Sequence, residues 1–66
     1  MKRYSSHTIL RLLKADGWIV KYQVGSHVQL VHPSKRGKVT VPHPRKDLAM
    51  DTVKSIARQA GIELEE

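Results

Sequence analysis

The chain reads as an α+β sandwich of two layers, a three-stranded antiparallel meander with a helix before it and a helix after it, both on one sheet face. Three observations predict this. Apolar residues recur with a helical period at both ends of the sequence. The period drops to two in the middle, and Gly or Pro stands at nearly every change of period.

The first helix begins at Ser5 or Ser6, either of which can accept an orphan N–H as N-cap. Ile9, Leu12 and Leu13 fall at i, i+3, i+4, with Leu10 widening the stripe, and Gly17 supplies the left-handed residue that ends it. From Trp18 the alternation places Trp18, Val20 and Tyr22 on one face and Ile19, Lys21 and Gln23 on the other. Gly25 breaks the run, and a second strand follows in which Val28 and Leu30 oppose His27, Gln29 and Val31. Pro33 ends it, the cluster 33–37 turns, and Lys38-Val39-Thr40-Val41 forms the third strand with its valines inward. Two prolines within residues 42–44 forbid helix or central strand, leaving a stiff basic connection through Asp47. Asp51 is read as the cap of a second helix, with Val53, Ile56, Ala57 and Ala60 inward and Gly61 at its end.

The expected core is therefore Ile9, Leu12, Leu13, Trp18, Val20, Tyr22, Val28, Leu30, Val39, Val41, Val53, Ile56 and Ala57. The open face is expected to carry Lys21, Gln23, His27, Gln29, Lys38 and Thr40.

With 66 residues, the chain is read as a single domain over 1–66, with 62–66 as a frayed acidic tail. A domain of this size buries only about 60% of its unfolded surface. Having no cysteine, it needs no oxidising compartment and can hold no thiolate zinc. No apolar run approaches the roughly 18 residues of a membrane span, and no signal-type segment follows Met1-Lys2-Arg3, so a cytosolic location is expected. Residues 1–60 hold all twelve cations against Asp16, Asp47 and Asp51, a net of +9, whereas the tail carries −3. Such a body attracts polyanions, and nucleic acid is the commonest of these inside cells.

Of the four histidines, His7, His27, His32 and His43, no pair is spaced as metal ligands on a helix are, and no metal or other cofactor is expected. His32 falls on the inward parity before a proline and reads as a strand-end residue with one nitrogen satisfied by backbone. His43 lies between prolines, where a phosphate contact and a structural role are both open. His7 reads as exposed, Trp18 as core, and Tyr4 as the aromatic without a clear core role. His27 stands at the start of a strand, on the polar face, two residues after Gly25. Cleaving RNA without a metal needs one group to take the 2′-hydroxyl proton, another to protonate the leaving oxygen, and cations for the phosphate; an imidazole can fill either proton role. Gly25 allows close approach of a phosphate backbone and Ser26 can contact it. Lys21, Lys38, Arg36, Arg45 and Lys46 are the candidate phosphate-neutralising cations. The second proton-transfer group is not evident, with Lys38, water and the substrate as alternatives. Taken alone, Gly-Ser-His more often describes a surface histidine after a hairpin turn than a catalytic one.

Four strings in this order, Gly17-Trp18, Gly25-Ser26-His27, Val39-Thr40-Val41-Pro42-His43-Pro44 and Ser55-Ile56-Ala57-Arg58-Gln59-Ala60-Gly61, together resemble the HicA toxins of bacterial HicA–HicB toxin–antitoxin systems, over residues 5–62. The resemblance implies a double-stranded-RNA-binding-domain-like α-β-β-β-α fold. It implies an mRNA interferase that arrests translation, with His27 as its catalytic histidine. It also implies a HicB-type antitoxin partner that buries the active site and itself supplies any DNA binding. Val28, Gln29 and Leu30 depart from the second histidine or aromatic that many members carry there, and the acidic tail is no part of the motif. Two rival readings use the same fold: a non-catalytic RNA-binding module of double-stranded-RNA type, and a subunit that only holds another protein.

Overall fold

The computed structural model describes residues 3–64. The element order is α1 (Ser6–Ala15), β1 (Ile19–Val24), β2 (His27–Val31), β3 (Lys38–Pro42) and α2 (Met50–Ala60), with a sheet ordered β1-β2-β3 and antiparallel throughout. This is the expected α-β-β-β-α architecture.

Ser5 caps α1, its side chain accepting the Thr8 amide at 3.1 Å. Asp16 closes the helix and Gly17 follows at φ +103, a conformation that excludes most side chains. The expected cap of α2 is corrected: Ala49 occupies that position, and Asp51 lies in the first turn, where its charge still suits the helix dipole. Gly61, at φ +68, ends α2 as expected.

Ile9, Leu10 and Leu13 from α1 and Val53, Ile56 and Ala60 from α2 close over Val28, Leu30, Val39 and Val41, so both helices cover one sheet face. Trp18 is buried as expected, its Nε1 donating to the Ala60 carbonyl at 3.3 Å. Tyr4 and Leu48 also belong to this core, and Leu12 only flanks it. Tyr4, read as free of a core role, is 3% exposed and its carbonyl accepts the Leu48 amide. These two residues bring the segments before α1 and before α2 together, a contact no local period announces. Ile62 and Leu64 pack partly against the core, and Glu65 and Glu66 of the tail lie outside the described residues.

The largest departure is in β1. The ladder pairs Val20 with Leu30 but Tyr22 with Gln29, so Lys21 is the extra residue of a β-bulge. Directly paired residues share a sheet face, and one inserted residue reverses the parity of all that follow. Tyr22, expected in the core, therefore stands on the open face and is 44% exposed. Gln23, expected outside, pairs with Val28 on the helix side. Val20 keeps its expected side, yet it is 39% exposed because the helices pack most closely over β3 at the opposite edge.

Candidate functional site

The open sheet face is organised in three cross-strand rows. Val24, His27 and Pro42 form the first, Tyr22, Gln29 and Thr40 the second, and Ile19, Val31 and Lys38 the third. Rows lie two residues apart along a strand, about 7 Å at ~3.3 Å per residue.

His27 owes its place to a two-residue hairpin. Val24 pairs with His27 across Gly25 and Ser26, and Gly25 takes φ +57, which such tight turns demand. A Cβ on Gly25 would meet nothing within 4 Å, so the backbone conformation, not space, calls for glycine there. The turn is tied down from the neighbouring strand. The His43 amide donates to the Ser26 carbonyl at 2.7 Å, and the Gln23 side-chain amide donates to the Gly25 and His43 carbonyls at 3.1 and 3.4 Å. His27 is thus an exposed imidazole on a braced corner. Nothing else in residues 3–64 hydrogen-bonds its ring.

The basic segment after β3 starts beside His27 and is clamped to α1. Ser6, 1% exposed, exchanges backbone bonds with Arg45: its amide donates to the Arg45 carbonyl at 2.9 Å, and its hydroxyl accepts the Arg45 amide at 2.8 Å. The same hydroxyl lies 2.7 Å from His43 Nδ1. His43 therefore has a structural bond on one nitrogen. Ser5, His7, Pro44 and Lys46 join these residues around a cleft of about 470 Å³.

The opposite end of the sheet is a structural latch. His32 Nε2 donates to the Asp16 carbonyl at 2.8 Å while Nδ1 accepts the Ser34 amide at 3.0 Å, which selects the tautomer with the proton on Nε2. That ring meets Trp18 edge-on at 5.2 Å between centroids. Lys35 Nζ donates to Asp16 Oδ2 at 2.6 Å and to the Ala60 carbonyl at 3.0 Å, neutralising the C-terminal end of α2. The hydrogen bond from Lys35 holds the Asp16 carboxyl below its ordinary pKa.

Of the candidate site residues, the structure brings Gly25, Ser26 and His27 together, with the backbone bearing Arg45 and Lys46 leaving from the same end of the sheet. Lys21 is exposed on the bulge. Lys38 is two rows from His27, about 13 Å along β2 at ~3.3 Å per residue. Arg36 lies beyond it, in the loop at the far end. Both backbones thus stand apart from the His27 corner, toward the other end of the sheet. Sequence reading missed Tyr22, because no Gly or Pro marks the bulge, and Ser6, whose partners lie 37 and 39 residues away. Among the described residues no three His, Asp or Glu side chains gather as a metal site would need, and no helix is long and apolar enough to cross a membrane.

A three-stranded sheet backed by two helices, with a histidine displayed on its open face, defines the class: a small α+β protein of double-stranded-RNA-binding-domain type. The family model described as HicA toxin of bacterial toxin–antitoxin matches residues 6–62, and the chain belongs to that family. A solved structure of a "HicA3 and HicB3 toxin-antitoxin complex" contains a chain 32% identical to this one, at a TM-score of 0.78, covering 94% of this chain and 100% of its own. No curated protein sequence matches.

Proposed function

We propose that this toxin is a metal-independent endoribonuclease that cuts mRNA and thereby arrests translation, with His27 as the catalytic histidine. The observation that carries this reading is the exposed His27 imidazole, without a partner among the described residues and held on the braced Gly25-Ser26 corner of a sheet face open to a polymer.

In the reaction the 2′-hydroxyl loses its proton, its oxygen attacks the adjacent phosphorus, and the bond from phosphorus to the 5′-oxygen breaks as that oxygen gains a proton. His27 serves as the general base or the general acid of that exchange. The backbone at Gly25 and Ser26 lets the phosphate approach closely. Arg45 and Lys46 leave the sheet beside His27 and neutralise charge near the cut, while Lys21, Lys38 and Arg36 engage more distant phosphates of the same strand.

Silencing comes from a HicB-type antitoxin that buries the open face, a reading supported by the HicA3–HicB3 complex found for the similar structure. Contact with DNA is indirect, through that antitoxin. Induced expression in a bacterium lacking the antitoxin tests the proposal. Growth should stop and mRNA should shorten with wild type, and neither should occur with folded His27→Ala. Arrest that survives this substitution would refute the assignment. RNA binding without turnover by wild type would indicate a non-catalytic module.

A further inference from the structure

The β-bulge at Lys21 does more than roughen an edge. By turning Tyr22 outward it sets an aromatic ring in the row next to His27, on the same face. Diagonal neighbours of this kind stand about 7–8 Å apart, within reach of consecutive parts of one bound strand. Across that row, Thr40 Oγ1 donates to Gln29 Oε1 at 2.7 Å. The bond orients the Gln29 amide and leaves its two N–H donors unspent.

A 44% exposed tyrosine beside an oriented amide is poorly explained by folding. The ring adds little to the core, and a polar residue at that position would leave the ladder intact. It is well suited to a nucleobase, which offers a flat face to stack and edge acceptors for an N–H. The adjoining rows hold His27 and Lys38 for a strand's phosphates, beside the exposed apolar side chains of Val24 and Ile19. The row lies between a candidate catalytic histidine and Lys38, on a chain of net charge +6.

We infer that Tyr22 and Gln29 form a base-binding platform, on which the base of a nucleotide next to the scissile phosphate stacks against the Tyr22 ring and accepts from the Gln29 amide. This rests on the proposed single-stranded RNA substrate and specifies how it is held. Stacking tolerates any base, so the platform requires a base at that position and not one particular base.

The test is binding of a labelled single-stranded RNA with 2′-O-methyl riboses, which lacks the attacking hydroxyl and so separates binding from cleavage. Tyr22→Ala should weaken binding roughly ten-fold or more, in keeping with the loss of one stacked base. Tyr22→Phe should bind like wild type, and the slope of affinity against salt should not change, because no phosphate contact is lost. Removing single bases in turn should reveal one position where wild type loses affinity and Tyr22→Ala loses nothing further. An unchanged thermal midpoint would show that the exposed substitution left the fold intact.

Tyr22→Ala binding as tightly as wild type would overturn the platform, as would a Tyr22→Phe loss equal to that of Tyr22→Ala. A Tyr22→Ala defect confined to antitoxin binding would assign the ring to a protein contact instead. Absence of cleavage by wild type would refute the catalytic reading while leaving the binding comparison intact. Conversely, His27-dependent cleavage with Tyr22→Ala fully active and fully bound would refute the platform alone.

Discussion

The Ser6 hydroxyl lies 2.7 Å from His43 Nδ1, a bond across 37 residues that fixes the segment leaving β3 against the first turn of α1. Because the same hydroxyl accepts the Arg45 amide, one buried oxygen sets the course of the basic segment that starts beside His27. The candidate site is thus braced twice, by the Gly25-Ser26 turn and by this clamp.

Ser6→Ala should therefore cost more than its size suggests. It leaves the part-buried Arg45 amide without its acceptor, and losing such a hydrogen bond costs about 0.5–1.5 kcal/mol. Urea denaturation should show that loss. RNA cleavage should fall as well, because the Arg45 and Lys46 backbone is no longer fixed.

Gly17→Ala should destabilise through two additive strains. The backbone there is at φ +103, and a Cβ would fall 2.8 Å from His32 Nε2. Together they should cost about 1–3 kcal/mol or more. Thermal unfolding checks the loss, and part of it should be relieved in a Gly17→Ala, His32→Ala double variant, since the clash and the strain are separable.

Asp16 makes stability depend on acid. Its folded-state pKa is depressed by the Lys35 hydrogen bond, so its contribution is fully present above the unfolded value of about 3.9 and is lost as pH falls through the folded one. Urea midpoints measured from neutrality downward should hold through the region above pH ~4 and decline below it. Asp16→Asn and Lys35→Ala should each flatten that acid limb.

Arg45→Gln and Lys46→Gln should each weaken binding of uncleavable single-stranded RNA and lower the slope of log affinity against log salt by about 0.7, the signature of one lost phosphate contact. Unchanged slopes would place both cations outside the interface.

Most of the fold was legible because its signals are local. Ile9 and Leu13, Val28 and Leu30, Val39 and Val41, and Val53 and Ile56 each face the core at the spacing their element dictates. Gly17, Gly25 and Gly61 mark real changes of direction. The candidate histidine was legible too, since a short turn fixes the face of the residue that follows it. Tyr22 and Gln23 were not. Alternation counts residues, and the bulge at Lys21 adds one that only strand pairing reveals. Ser6, Tyr4 and Leu48 were illegible for another reason. They act between segments far apart in sequence, where no period carries information.

The most direct test of the central claim is cleavage of a labelled single-stranded mRNA in EDTA by purified wild type and by a His27→Ala variant shown to be folded. The account predicts cutting by wild type and none by the variant. Equal cutting by both proteins would contradict it.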